Sequence, residues 1–287
     1  MKQDLKLNNI KQDLYKYMEN RINALDCDQQ LKKSIYYSLI NNGKLFRPLI
    51  FLSYLDNNPQ YFDIAMSIEC IHTYSLVHDD LPCMDDDDYR RGQLTVHKKF
   101  GEDIALLTGD SLLTLSFELI ASSTVAESVK VKLIKILSIC SGVNHGMING
   151  QMLDMTNQSQ SVSQLVSLEA QKTGSLLVAS LLMANAINNK NNQQQLIDLG
   201  YYLGIYYQMY DDYLDCYSNF ETIGKPVGSD LENDKQTFAT LYTKEELEQH
   251  LLALSSYIIA QIDQLNLTVS CKSILLSIID WSNNETN

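Results

Sequence analysis

The stretch YYLGIYYQMYDDYLD, residues 201–215, is an aromatic and apolar run that ends in three carboxylates. Asp211 and Asp215 are four residues apart and Gln208 comes three residues before Asp211, so a helix places these side chains on one face. Like charges at this spacing destabilise a helix unless something compensates them. We therefore predict a helix here, with its acidic end protected from bulk solvent and neutralised by a bound cation.

A second acidic run, HDDLPCMD at residues 78–85, follows an apolar and periodic stretch. A helix through this stretch places His72 and Asp79 on one face, and the proline of the run ends the helix, so that Asp85 comes from the turn beyond. Carboxylate oxygens suit Mg²⁺, which usually shares its remaining coordination sites with substrate phosphates. Two such clusters facing one another would hold a diphosphate through several metal ions. The alternative for each run is an ordinary solvated acidic surface.

The rest of the chain favours an all-α protein. Hydrophobic residues make up 45% of the 287 residues, and only 12 Gly and 4 Pro interrupt the long periodic segments. Residues 104–121 and 176–187 are apolar almost all round and predict central, buried helices, whereas residues 131–140 and 251–265 predict amphipathic outer helices. With no linker, repeat or composition shift, we expect a single bundle-like domain over residues 1–287.

Charge and cysteine content limit the partners and the compartment. The formal net charge of −13 argues against nucleic acid, because such binding depends on Lys and Arg that neutralise phosphates. The 6 cysteines form no CxxC pair, so we expect mostly buried free thiols in a reducing compartment. The amino-terminal residues lack the apolar core of a signal peptide, and no uninterrupted apolar run reaches about 18 residues. We expect a soluble cytoplasmic protein without stable membrane insertion.

Several separated basic residues accompany the acids. In GKLFRP, residues 43–48, the glycine lets the backbone approach an anion, Lys44 supplies a point charge and Arg47 a fork that matches phosphate oxygens. The other members of this set are Arg90, Arg91, Lys172, Lys225 and Lys235. Each alone is weak evidence, since solvated Lys and Arg are common. Together with two acidic clusters, and without a Walker A loop, nucleophile elbow or zinc spacing, they favour a diphosphate site.

The order of these motifs resembles a known family. HTYSLVHDDLPCMDDDDYRRG at residues 72–92, followed by LLTGDSLL, GQMLDM, KTGSLL, YQMYDDYLD and GKPVGSDLENDKQT, is similar to the trans-polyprenyl diphosphate synthases. More narrowly, the chain resembles bacterial short-chain members of the farnesyl diphosphate synthase type. The resemblance runs from about Gly43 to about Thr237 and implies an all-α isoprenoid synthase fold with a deep central cavity. Asn149 departs from the family, which commonly has a glycine at that position.

The resemblance assigns a role to each motif residue. It implies that two aspartate-rich motifs hold three Mg²⁺ ions on the allylic diphosphate: Asp79, Asp80 and Asp85 in the first, and Asp211, Asp212 and Asp215 in the second. It implies that one basic set binds isopentenyl diphosphate: Gly43, Lys44, Arg47, His72 and Arg91. It implies that another set serves the allylic substrate: Arg90, Lys172, Thr173, Gln208, Lys225 and Lys235. The family is usually homodimeric.

The implied reaction joins isopentenyl diphosphate head to tail with dimethylallyl or geranyl diphosphate. Mg²⁺ and basic side chains neutralise the leaving diphosphate, the allylic cation is attacked by the double bond of isopentenyl diphosphate, and a proton is lost. Tyr74 and Ser75 lie five and four residues before Asp79, about one helical turn deeper, where they would limit the product length. An aromatic residue at the first position resembles enzymes that make the fifteen-carbon product, with geranyl and geranylgeranyl diphosphate as alternatives.

Three other functions use similar residues. A non-catalytic subunit on the same fold would usually lack an aspartate motif, and both are intact here. A terpene cyclase seldom carries the Arg90–Arg91 pair together with the Lys44 and Arg47 site. A helical protein with Ca²⁺-binding acidic patches would need neither the lysines nor the spacing of Gln208 with Asp211.

Overall fold

The computed structural model describes residues 2–40, 43–156, 161–217 and 236–279. These residues form two compact units, divided between Ile134 and Lys135. The predicted all-α class is confirmed in the described residues, where one two-stranded hairpin accompanies the helices. The single domain over residues 1–287 stays a prediction.

The first unit consists of six helices, a short hairpin and one 3₁₀ turn. In chain order they are α1 (Lys2–Asn23), α2 (Gln29–Leu39), α3 (Phe46–Tyr54), the 3₁₀ turn (Pro59–Tyr61), α4 (Phe62–Asp79), β1 (Tyr89–Arg90), β2 (Gln93–Leu94), α5 (Val96–Phe100) and α6 (Glu102–Ser122). Helix α4 packs against α6, α3 and α2, and most of its 18 residues are buried. The acidic run therefore begins where a largely buried helix ends.

A glycine determines how closely α4 and α6 approach. A Cβ atom on Gly109 of α6 would lie 2.0 Å from Nε2 of His78 on α4, which is far inside contact distance. The His78 ring is held from two other sides: its Nε2 is 3.1 Å from the Leu106 carbonyl oxygen, and it packs edge-on against Tyr74 at 5.9 Å. Because His78 directly precedes Asp79, this contact also positions the start of the acidic run.

The second unit is arranged around one long helix. Its elements are α8 (Met147–Met155), α9 (Val162–Glu169), a π-helical segment (Ala170–Gly174), α10 (Ser175–Asn188), α11 (Gln193–Tyr217), α12 (Phe238–Leu241), α13 (Lys244–Gln264) and α14 (Val269–Ile279), while α7 (Glu127–Ser141) contains the boundary between the units. Helix α11 packs against α10, the π-helical segment and α12 to α14. It carries the second acidic run at its carboxyl end, as the sequence predicts.

Two expectations about burial need correction. Helix α6 is buried on one face only, and on its other face Leu106 and Leu107 are 49% and 52% exposed. By length and composition α6 is long and apolar enough to cross a membrane, and its buried face packs on α4. Among the cysteines, Cys83 is exposed and Cys27 and Cys216 are half-buried, so buried thiols are fewer than predicted.

Replacing Gly109 by alanine should force the His78 ring away from Tyr74 and the Leu106 carbonyl. We expect Gly109→Ala to lower the free energy of unfolding by about 1–3 kcal/mol, the usual cost of overpacking a helix contact. Urea denaturation would measure it, with Leu107→Ala on the exposed face as the control. The double variant His78→Ala/Gly109→Ala should be less destabilised than the sum of the single changes. Additive effects would show that the two residues are not in conflict.

Candidate active site

The first acidic run folds into a turn that brings its ends together. Helix α4 ends at Asp79, and the backbone N–H of Asp85 donates to the Asp79 carbonyl oxygen at 2.9 Å. Asp79 is half-buried and Asp85 is exposed, whereas Asp80 is only 2% exposed. The turn therefore places the first and last aspartates of the motif side by side and turns the middle one into the protein.

Asp80 is held by Arg90 of the hairpin. Arg90 donates to Oδ1 of Asp80 from Nε at 2.7 Å and from a terminal nitrogen at 2.6 Å, and it also lies 3.6 Å from Asp87. Burial raises the pKa of Asp80 above its ordinary value, and the hydrogen bond and charge of Arg90 oppose that rise. The guanidinium is thereby fixed beside the acidic turn.

The hairpin separates Arg90 from Arg91. Strands β1 and β2 pair antiparallel, with Arg90 opposite Gln93, and the two turn residues Arg91 and Gly92 have φ of 52° and 75°. Positive φ at both central residues is the mark of a type I′ turn, which favours glycine at its second position. Two-residue strands leave no readable period in a sequence, which is why this hairpin was not predicted.

The basic site formed by Lys44, Arg47 and His72 lies at the start of α3 and on the neighbouring face of α4. Leu45, between Lys44 and Phe46, has φ of 54° although it is 3% exposed, so the chain holds a strained backbone next to the lysine. A terminal nitrogen of Arg47 lies 3.3 Å from Nε2 of His72. The contact between Arg47 and His72 joins the start of α3 to α4, and the role of Lys44, Arg47 and His72 in binding isopentenyl diphosphate stays a prediction.

His72 is a neutral donor rather than a cation. Burial, followed by the charges of Arg47, Arg91 and Arg90, holds the pKa of His72 well below its ordinary value of 6.5. Because Arg47 can only donate, Nε2 of the neutral ring accepts and Nδ1 carries the proton. His72 can therefore donate one hydrogen bond to an anion without adding charge to the site.

Tyr74 and Ser75 follow His72 on α4. Tyr74 is 5% exposed, and its hydroxyl has no hydrogen-bond partner among the described residues. Burial, with a smaller effect of Asp79, raises the pKa of Tyr74 to about 12. Ser75 is half-buried and donates to the His72 carbonyl oxygen at 2.9 Å. Their role in product length stays a prediction.

The second acidic run repeats the arrangement of the first. Asp212 is 3% exposed and accepts from Nε2 of Gln208 at 2.9 Å and from the backbone N–H of Phe238 at 2.7 Å. Asp215 is half-buried and Asp211 is exposed, so the predicted protection from solvent is wrong for Asp211. Because the Gln208 amide nitrogen faces a carboxylate, its oxygen points elsewhere and stays available as a dipole.

Lys172 and Thr173 lie in a π-helical segment, a feature that often marks functional sites. Lys172 forms an ion pair with Asp154, and Thr173 donates to Glu169 at 3.2 Å. Asp154 belongs to the GQMLDM motif, but its partner is 18 residues away, so nothing local in the sequence revealed the pair.

Two glycines bring other helices to the backbone of this segment. A Cβ on Gly150 of α8 would lie 2.3 Å from the Lys172 backbone nitrogen, and a Cβ on Gly204 of α11 would lie 2.3 Å from the Gly174 Cα. Asn149 donates to the side-chain oxygen of Gln171 at 2.6 Å, so the residue that departs from the family pattern has a bonding role of its own.

Lys225 and Lys235 lie outside the described residues, and the facing of the two acidic motifs across a deep cavity stays a prediction. Within the described ranges no group of three or more His, Cys, Asp or Glu side chains is close enough to hold a metal ion. The donor chemistry nevertheless suits Mg²⁺, since Asp79, Asp85 and Asp211 present carboxylates that are not fully buried.

The depressed pKa of His72 predicts a pH dependence of stability. Below pH 6.5 the unfolded chain takes up a proton at His72 that the folded protein does not, so the free energy of unfolding falls as the pH falls. The slope is up to about 1.4 kcal/mol per pH unit for one proton. His72→Gln should make the decline between about pH 6.5 and 5 shallower in urea titrations. His250→Gln, at an exposed site, is the control; an unchanged slope in His72→Gln would contradict the assignment.

Comparison with known proteins gives consistent matches. The family model "Polyprenyl synthetase" matches residues 28–264. The farnesyl diphosphate synthase of Micrococcus luteus is 45% identical over 230 residues, 77% of this chain and 79% of the relative. That of Bacillus subtilis is 40% identical over 266 residues, 86% of this chain and 89% of the relative. A geranyltransferase structure from Helicobacter pylori, complexed with magnesium and isoprenyl diphosphate, aligns with a TM-score of 0.84 and 32% identity over 97% of this chain and 96% of that one.

Proposed function

Since the chain belongs to the polyprenyl synthetase family, we propose that it is a prenyltransferase that condenses isopentenyl diphosphate with dimethylallyl and then geranyl diphosphate to give farnesyl diphosphate. The observation that carries this proposal is the repeated acidic motif, in which a buried, bonded aspartate holds more exposed aspartates at the end of a helix. Relatives named farnesyl diphosphate synthase at 40–45% identity support the fifteen-carbon product.

The acidic motifs would hold Mg²⁺, and three ions are expected with the diphosphate bound. When present, Mg²⁺ supplies positive charge that stabilises the leaving diphosphate. Asp79, Asp85 and Asp211 would hold it, because they are more exposed than Asp80 and Asp212. Asp215 would join them, since its Oδ2 is buried without a hydrogen-bond partner among the described residues. Asp80 and Asp212, which are buried and hydrogen-bonded within the protein, would hold the neighbouring aspartates in position.

Residues of the allylic site would act on the leaving group and on the cation. Arg90, fixed by Asp80, and Lys172, fixed by Asp154, would bind the allylic diphosphate together with Lys225 and Lys235. Thr173 and the side-chain oxygen of Gln208 would orient their dipoles toward the positive carbon that ionisation leaves. Fixed dipoles of this kind need no reorganisation during the reaction, which is the main source of their effect.

Isopentenyl diphosphate, the second substrate, would bind to the basic site around Lys44, Arg47 and His72. Lys44, Arg47 and Arg91 would supply positive charge for isopentenyl diphosphate, and the neutral His72 would donate one hydrogen bond. Gly43, directly before Lys44, would let the backbone approach the anion. The double bond then attacks the allylic cation and a proton leaves, with the departing diphosphate as acceptor. No side-chain nucleophile is needed, so positioning supplies most of the rate.

We further propose a soluble homodimer. The exposed apolar side chains of Leu106 and Leu107 on α6 support a second copy as partner.

A product assay tests the function. The purified protein, with Mg²⁺, isopentenyl diphosphate and dimethylallyl diphosphate, should yield a fifteen-carbon diphosphate by mass spectrometry. Asp211→Asn should lower kcat by about 100-fold or more, the size of effect seen when a charge-stabilising group is removed. Asp13→Asn, an exposed acid on α1, is the control. Absence of product with every allylic primer would refute the proposal.

Tyr74 should limit the product length. Tyr74→Ala removes a buried ring one turn below the acidic motif, so we expect products of twenty carbons or more in the same assay. Tyr74→Phe keeps the ring and should still give the fifteen-carbon product. It should not lower stability either, because the hydroxyl has no partner among the described residues. A fifteen-carbon product from Tyr74→Ala would remove Tyr74 from this role.

A further inference from the structure

Helix α1 contacts the segment GKLFRP, residues 43–48, through Tyr15. The Tyr15 hydroxyl donates to the Gly43 carbonyl oxygen at 2.8 Å, across 28 residues of sequence. Gly43 is buried and directly precedes Lys44. This hydrogen bond therefore fixes the backbone from which Lys44 and the strained Leu45 extend.

Lys11 lies one turn before Tyr15 on the same face of α1. Its ammonium nitrogen is 6.0 Å from the centre of the Tyr15 ring, and the side chain is half-buried. Burial and the charge of Arg91 lower the pKa of Lys11, while Glu69 opposes that change. Lys11 therefore shares its electrostatic environment with a residue of the basic site.

Glu69 is the buried acid in this environment. It is 4% exposed on α4, and it lies three residues before His72, which contacts Arg47. Burial raises the pKa of Glu69, and three cations oppose the rise: Arg47, Arg91 and Lys11. A buried carboxylate is tolerated when it is paired with cations, so Glu69 and these cations depend on one another.

The charges do not cancel. Lys11, Arg47 and Arg91 are three positive charges that act on the single carboxylate of Glu69. The surplus is positive and complements a diphosphate, while the single acid reduces the repulsion among the cations before an anion binds.

We propose that Tyr15 and Glu69 are positioning residues for the isopentenyl diphosphate site and that Lys11 is a further cation of that site. The inference rests on the proposed prenyltransferase function. It adds helix α1, which no motif in the sequence pointed to, to the residues that determine the affinity for the second substrate.

Steady-state kinetics with each substrate varied separately tests the proposal. Tyr15→Phe should raise KM for isopentenyl diphosphate by about three- to tenfold, the effect of one ordinary hydrogen bond. Lys11→Met should do the same, and Glu69→Gln should raise it by about tenfold or more, because removing one partner of a buried charge cluster is costly. KM for geranyl diphosphate and kcat should change by less than about twofold, since positioning here concerns ground-state binding of one substrate.

Two variants of the same helix are matched controls. Tyr17→Phe removes a hydroxyl that donates to Asp63 at 2.7 Å, and Lys16→Met removes an exposed charge. Both should leave KM for isopentenyl diphosphate unchanged. Thermal melting of each variant checks folding; should Glu69→Gln fail to fold, Tyr15→Phe and Lys11→Met still decide the question.

The possible failures are distinguishable. If the unmodified protein forms no prenyl product, the proposed function fails. If it is active but Tyr15→Phe leaves KM for isopentenyl diphosphate unchanged, or raises both KM values equally, only the present inference fails. A lower KM in Glu69→Gln would likewise overturn it, since Glu69 would then merely repel the substrate.

Discussion

A carboxylate that is buried in a protein must be hydrogen-bonded or paired with a cation, and both acidic motifs depend on this constraint. Asp80 is bonded to Arg90, and Asp212 to Gln208 and to the backbone of Phe238. In each motif the buried acid fixes the chain, and its neighbours in sequence remain closer to solvent. One residue thus supplies the rigidity that lets the others present charge at the end of a helix.

Close contacts at three glycines support the positions of the site residues. Gly109 admits the His78 ring beside Asp79, Gly150 brings α8 to the backbone of Lys172, and Gly204 brings α11 to Gly174. At each point a Cβ would lie at about half to two-thirds of a normal contact distance of 3.5–4.0 Å. At Gly150 and Gly204 the helices touch at backbone level, which restricts the movement of Lys172 and its neighbours more than side-chain packing alone.

Local patterns predicted much of this arrangement, and contacts between distant segments account for the rest. The apolar period predicted α11, and the proline of residues 78–85 predicted the end of α4 and the turn to Asp85. The Lys172–Asp154 pair and the π-helical segment were not predictable, because they depend on residues of α8 and α11. The apolar context of Asp211 wrongly predicts its burial, since a helix can bury most of its surface and still expose a residue near its end.

The adjacent arginines Arg90 and Arg91 have different counter-charges. Arg90 is bonded to Asp80 and lies near Asp87, so the acidic motif has already neutralised part of its charge. Arg91, on the turn, instead contributes to the electrostatic environment of Glu69, where cations outnumber the acid. The I′ turn lies directly after Arg90 and begins at Arg91, and the charges of both arginines also act on His72. A chain with a net charge of −13 can in this way maintain a local excess of positive charge, because the excess depends on which carboxylates are near and not on the total.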